Sequence, residues 1–210
     1  MTVRAERSAA TRSRLVSAAR QLFAERSYAD VGTEEIVARA EVTRGALYHH
    51  FSDKRDLLRA AHEELEAELA EEIGAKIAAE AEAGSGARDV LELGARAFLD
   101  ACERPEIARI VLVEAPAVLG WNEWREIDER YGLGLVTAAL ELGMDQGVIR
   151  RQPTRPLAHL LLGAMGEAGM MIANAEDPAA VRGEVEPALL GLLDGLGDRR
   201  DPPGSVRDLT

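Results

Sequence analysis

The sequence predicts an all-α fold: a small N-terminal three-helix helix-turn-helix domain, then a larger helical domain. Three observations predict it. Runs rich in Ala, Leu, Glu and Arg are punctuated by Gly and Pro rather than by the alternation of strands. Apolar residues Leu15, Ala18, Ala19, Leu22 and Phe23 recur on one helical face. The stretch GTEEIVARAEVTRGALYHHFSDK, Gly32 to Lys54, carries two short helical patterns joined by a tight turn.

The amphipathic first helix carries Leu15 to Phe23. The second begins near Gly32 or Thr33, with Glu34 and Glu35 in the first turn, where the helix dipole favours carboxylates, and with Ile36, Val37 and Ala40 as its apolar face. After Glu41 and Val42, Thr43 is placed to cap a third helix, Arg44 to His50, by accepting from backbone N–H groups that the helix leaves free. Two turns with little apolar surface are marginal alone, so Leu47 and Phe51 must point inward. Asp53 then caps a long helix running to about Ala83, followed by a loop over Ala83–Gly86. Further helices are expected over Arg88–Cys102, Pro105–Leu119, Trp121–Gln146, Pro156–Ala175 and Pro178–Gly195. Pro105, Pro156 and Pro178 suit first turns, whereas Pro187 should kink or restart the last helix. The tail from Asp198 is polar and Pro-rich and is expected to be disordered. The domains expected are 1–55, 56–197 and the tail 198–210.

The outward face of the third helix fits the major groove of double-stranded DNA. Gly45 and Ala46 allow close approach, Arg44 is suited to a base edge or phosphate, and Tyr48 and His49 can donate to phosphate oxygens. Lys54 adds a point charge beside the next helix start, and Thr33 and Thr43 offer hydroxyls. Arg4, Arg7, Arg12 and Arg14 form either a solvated basic arm or a phosphate track. The net charge is -12, but residues 1–60 hold eleven Arg and Lys against eight Asp and Glu, leaving fourteen against twenty-nine elsewhere. The positive share sits with the reader.

Gly45, Leu47, Tyr48, Phe51 and Lys54 reproduce a glycine-x-leucine-tyrosine-x-x-phenylalanine run closed by lysine, and here the chain resembles the tetracycline-repressor (TetR) family of bacterial regulators over residues 11–58. Two features depart from that family. Glu41 stands where a turn glycine is usual, a residue that enters the left-handed region less readily and brings negative charge towards DNA. Val31 and Gly32 precede Thr33 where hydroxyls are usual.

In the larger domain Leu157, Leu160, Leu161, Ala164, Met165, Ala168 and Ile172, then Leu189, Leu190, Leu192, Leu193 and Leu196, form broad apolar faces, and Gly163, Gly166 and Gly169 would admit another helix. They are read as a two-fold homodimer interface, a four-helix arrangement that pairs two readers on a palindromic operator. The resemblance implies the same, and also implies a pocket for a small-molecule effector that releases DNA. The mixed apolar and polar segment around Arg109, Glu114, Trp121, Trp124 and Arg125, with His159, Glu167 and Met170 later, supplies candidate pocket residues.

An enzyme is not expected: there is no nucleophile beside a base and no glycine-rich phosphate loop. His62 and Glu66, one turn apart, make a weak metal pair read as solvated, so no metal or cofactor is predicted. Cys102 alone forms no intramolecular disulfide and is read as core, the start MTVRAERSAATRSR has no apolar leader, and the apolar run Leu157–Ala173 is interrupted by His159, Glu167 and three glycines. A cytoplasmic protein without a membrane segment is expected. The alternative from another class is a helical protein-interaction adaptor that does not bind DNA.

Overall fold

In the computed structural model, which describes residues 3–80 and 86–197, nine α-helices follow one another: α1 (Val3–Glu25), α2 (Thr33–Arg39), α3 (Arg44–His50), α4 (Lys54–Glu80), α5 (Ala87–Cys102), α6 (Ala115–Leu119), α7 (Trp121–Asp145), α8 (Thr154–Ala173) and α9 (Pro178–Asp194). A 3-10 turn, Tyr28–Asp30, follows α1, and a π-helical stretch, Ile107–Glu114, precedes α6. Among the described residues there is no strand beyond an isolated bridge between Ile149 and Gly197. The loop expected over 83–86 falls mostly, and the tail 198–210 wholly, outside the described residues. So does the side chain of Arg4.

α1 to α3 enclose Leu15, Leu22, Phe23, Ile36 and Leu47, all fully buried, and Phe51 closes the underside. The two-turn α3 is therefore held by tertiary packing, as its length requires. Asp53 accepts from the Asp56 amide at 2.7 Å and Asp56 from the Ser52 amide at 3.0 Å, two bonds that together cap the start of α4. The buried cluster continues without a break through Leu57, Leu58, Ala61 and Leu65 of α4 into Ile107 and Ile110, so reader and body share one apolar core. Polar contacts reinforce the junction. Arg20 of α1 binds Glu64 and Glu68 of α4 and also Glu106, and the Arg55 guanidinium donates to the Leu119 carbonyl at 2.9 Å.

The helix expected over Pro105–Leu119 is wound in two ways. Its first part has π register, the Ala115 amide donating to the Ile110 carbonyl. In that register Pro116, having no N–H, leaves the Val111 carbonyl without its main-chain donor. The buried Trp124 indole supplies one, at 2.9 Å. Trp124→Phe therefore strands a buried acceptor, with an expected loss of about 1–3 kcal/mol measurable by urea denaturation.

Pro187 neither restarts nor ends α9, which is helical on both sides of it. The residue one turn earlier, where the ring crowds the backbone, is Gly183, with open space around it. The apolar faces of α8 and α9 divide. Leu161, Ala168, Ile172, Leu189 and Leu193 belong to the internal core. Leu160 (72 % exposed), Met171 and Leu192 (57 %) lie outside. Of the glycines expected to admit a partner helix, Gly169 meets Cys102, Leu112 and Phe98, and Gly166 faces Trp124, so both serve internal packing. Only Gly163 opens outward. By length and composition α8 is long and apolar enough to cross a bilayer, with a mean hydropathy of 1.3, despite His159, Glu167 and the three glycines that interrupt it. Its Ala158, Leu162, Gly166 and Ile172 are nevertheless buried against this chain's own helices.

Candidate nucleic-acid interface and core cavity

α3 presents one face outward because Leu47 commits the opposite one to the core. Thr43 caps it, the hydroxyl accepting from the Ala46 amide at 3.2 Å. Arg44, Gly45, Tyr48 and His49 are exposed, Tyr48 to 47 %, and the Arg44 guanidinium sits 5.6 Å from the centre of the Tyr48 ring. That stacking holds two long side chains on the same side of the helix. Glu34 of α2 reaches Arg44 at 3.3 Å, but both groups are mostly exposed, so phosphate competes easily for the arginine. Ala46 is half-buried, and Thr33 is the first residue of α2 behind a Gly32 cap.

Lys54 behaves differently from the expected free point charge. Its ammonium donates to the carbonyls of Tyr28 (2.7 Å) and Val31 (2.9 Å), and burial lowers its pKa. Two of its three donors are committed to stapling the start of α4 to the turn before α2. Arg14, read as part of a basic arm, likewise donates to the carbonyls of Ala40 and Glu41 at the end of α2. Arg12 lies over the Phe51 ring at 5.3 Å and stays exposed beside the end of α3.

Glu41 has φ of 51°, so the turn keeps the left-handed geometry that a glycine would supply. Arg14 secures it by satisfying the two carbonyls. Glu41→Gly should relieve left-handed strain of about 1 kcal/mol, seen as a higher melting temperature, and bind DNA more tightly by removing a carboxylate from the approach.

The eight expected pocket residues do not come together around a cavity. Trp124 is core. Trp121 is exposed, its ring packed on Trp124 at 4.9 Å. Arg125 binds Asp128 (2.7 Å), Glu129 (3.0 Å) and the His159 carbonyl (3.1 Å), while the His159 ring meets Glu129 at 3.0 Å. Glu114 accepts the Tyr28 amide at 2.9 Å, which ties the π-helical stretch to the reader. Arg109 and Met170 are half-buried and Glu167 is exposed.

The cavity lies instead between α4, α5, α7 and α8, with a volume of about 80 Å³. Its walls include Leu69 and Ile73 of α4, Leu91 and Phe98 of α5, Val136 of α7, and Leu162 and Met165 of α8. Two carboxyls enter it, Glu66 and Asp128. Glu66 is 6 % exposed and has no hydrogen-bond partner among the described residues. The nearest polar candidate, Nδ1 of His62, lies 3.9 Å away. Burial, and then Asp128, push the Glu66 carboxyl up to about 8, while burial raises Asp128 to about 6 despite Arg125. His62, fully buried with both ring nitrogens unpaired, is lowered by burial to about 4, against a smaller opposing contribution from the Trp124 backbone.

His62 and Glu66 are thus inside, not solvated. The signal was present: positions 58, 62, 65, 66, 69 and 73 share one helical face of α4, and four of them are Leu or Ile. Titratable neighbours around Glu66 are His62 on its own helix, Asp128 with Arg125 on α7, and the Cys102 thiol, itself raised to about 12 by burial. Arg20 of α1 serves Glu64 and Glu68 on the far side of α4. Because the folded state raises the Glu66 pKa, stability is fully present below the unfolded value near 4.5 and declines as pH rises towards 8. Glu66→Gln should accordingly melt higher than the parent at pH values above about 8, and the gap should close near pH 5.

Both halves of the chain are similar to known proteins. Residues 15–61 match the family described as bacterial regulatory proteins, tetR family, and residues 89–196 match the tetracyclin repressor-like C-terminal domain. The chain is 30 % identical over 185 residues to the transposon Tn10 TetC protein of Escherichia coli, covering 88 % of this chain and 91 % of that one. A TetR-family transcriptional regulator from Pectobacterium atrosepticum, solved by crystallography, is 37 % identical and superposes with a TM-score of 0.81, covering 94 % of this chain and 99 % of that one. The HTH-type transcriptional regulator CymR of Pseudomonas putida is 33 % identical over 96 residues, 46 % of this chain and 47 % of that one.

Proposed function

This chain belongs to the tetracycline-repressor (TetR) family of DNA-binding transcriptional regulators, and on that premise we propose that it is a homodimeric repressor released from a palindromic operator by a small-molecule effector. The observation that carries the reading is α3, whose Leu47 is sealed in the core while Arg44, Tyr48 and His49 stand free on its other side. Such a helix reaches only a few base pairs, so specificity requires a second copy related by symmetry. The exposed Leu160, Met171 and Leu192 on α8 and α9, with Gly163 and Gly191 open beside them, support that pairing. A regulator of this kind works on the chromosome, in the cytoplasm.

The placement of α4 supports effector release. Its first residue, Lys54, is stapled to the reader, and its middle, from Glu66 to Ile73, lines the cavity. A ligand that prefers a slightly displaced α4 would move the reader heads off the spacing of successive grooves, with a coupling of about 1–3 kcal/mol. The test is binding to DNA upstream of its own coding region at two salt concentrations. Salt-sensitive, saturable binding is expected, and absence of binding at both salts favours the adaptor.

A further inference from the structure

Taking the core cavity as the effector site, we propose that it is built for a cation: an amine with an apolar body, whose ammonium group pairs with Glu66 beside Asp128. The geometry carries this. Glu66 is almost wholly buried in an apolar wall with no hydrogen-bond donor of its own among the described residues. A buried carboxyl in that position is costly unless it meets a partner. The chain supplies no cation for it: His62, whose Nδ1 lies 3.9 Å away, is kept neutral by burial, none of the residues lining the cavity is basic, and the neighbouring guanidinium, Arg125, is already divided between Asp128, Glu129 and the His159 carbonyl.

At this end of the cavity two carboxyls, Glu66 and Asp128, face no basic lining residue, so negative charge is in surplus. An anionic ligand would meet repulsion without a counter-charge. A neutral one would leave the carboxyl unpaired or use it only as a single donor. A ligand ammonium offers three donors, sufficient for Glu66 and for the Asp128 oxygen that Arg125 does not engage. The remaining walls, Leu69, Ile73, Leu91 and Met165, accept a hydrocarbon body, and Phe98 adds an aromatic ring.

The experiment uses a matched series with one body and three headgroups: hexylamine, hexan-1-ol and hexanoate, titrated calorimetrically into the full-length protein and its Glu66→Gln variant. Hexylamine should bind at least about tenfold more tightly than hexan-1-ol, with hexanoate weakest, and Glu66→Gln should bring the amine down to the alcohol while still binding DNA. Equal affinity of amine and alcohol, preference for hexanoate, binding of none of the three, or an amine preference that survives Glu66→Gln overturns the assignment. If the variant does not fold, the headgroup order in the parent decides alone. DNA binding by the unliganded protein separates the two readings. A protein that prefers the amine but never binds DNA sinks the regulator and keeps the site, whereas one that binds DNA without headgroup preference does the reverse.

Discussion

Replacing Arg44 and Tyr48 together by alanine is expected to abolish specific DNA binding while leaving the fold intact. Both side chains leave the surface of a two-turn helix whose hold on the core is Leu47, so neither truncation opens a cavity. The pair that Arg44 forms with Glu34 is exposed and adds little to stability. A base-edge contact by arginine is worth about 1–3 kcal/mol, and loss of a phosphate contact lowers the salt dependence by about one unit of slope. Together the two changes should weaken operator binding by about 100-fold or more, read by fluorescence anisotropy at two salt concentrations. The helical circular dichroism should be unchanged. A double variant that binds as the parent does would move the reader elsewhere on the molecule.

Leu160→Asp combined with Leu192→Asp is expected to convert the proposed dimer to monomers. Both leucines stand more than half exposed on adjoining helices, and Gly163, Gly183 and Gly191 leave open space around them, a surface suited to a close second copy. In a two-fold interface each substitution acts twice, so the double variant places four carboxylates in one apolar seam, where each would be desolvated without a partner. Sedimentation velocity should show a single species of half the parent mass. Operator affinity should fall by about 100-fold or more, because two linked readers gain from effective concentration what one lacks in contacts. A variant that sediments unchanged would place the interface elsewhere.

Where the determinants were local, the sequence showed them. The bounds of α3, Arg44 to His50, followed from the Thr43 cap before it and the Asp53 cap after it, both of which make the expected hydrogen bonds. The inward face of α1 followed from spacing alone. Glu41 raised the right question, and the answer, a left-handed residue braced by Arg14, depended on a contact across 27 positions that no local pattern encodes.

The cavity was illegible for the same reason. It is assembled from single faces of four helices, whereas the residues that composition points to lie in segments of mixed character. In those segments polar groups find partners close in the chain: Arg125 with Asp128 and Glu129, and Trp124 with the Val111 carbonyl that Pro116 leaves free. A polar residue among apolar ones marks a site only when it lacks such a partner, and that is the condition of Glu66.

Hydroxyl-radical footprinting of the full-length protein on an operator selected from random DNA tests most directly whether α3 is presented in duplicate. Two protected patches on one face of the duplex, with centres about one helical turn apart and both lost in the Arg44→Ala, Tyr48→Ala variant, are the result predicted. A single patch at saturating protein, or two patches that persist in the variant, would contradict it.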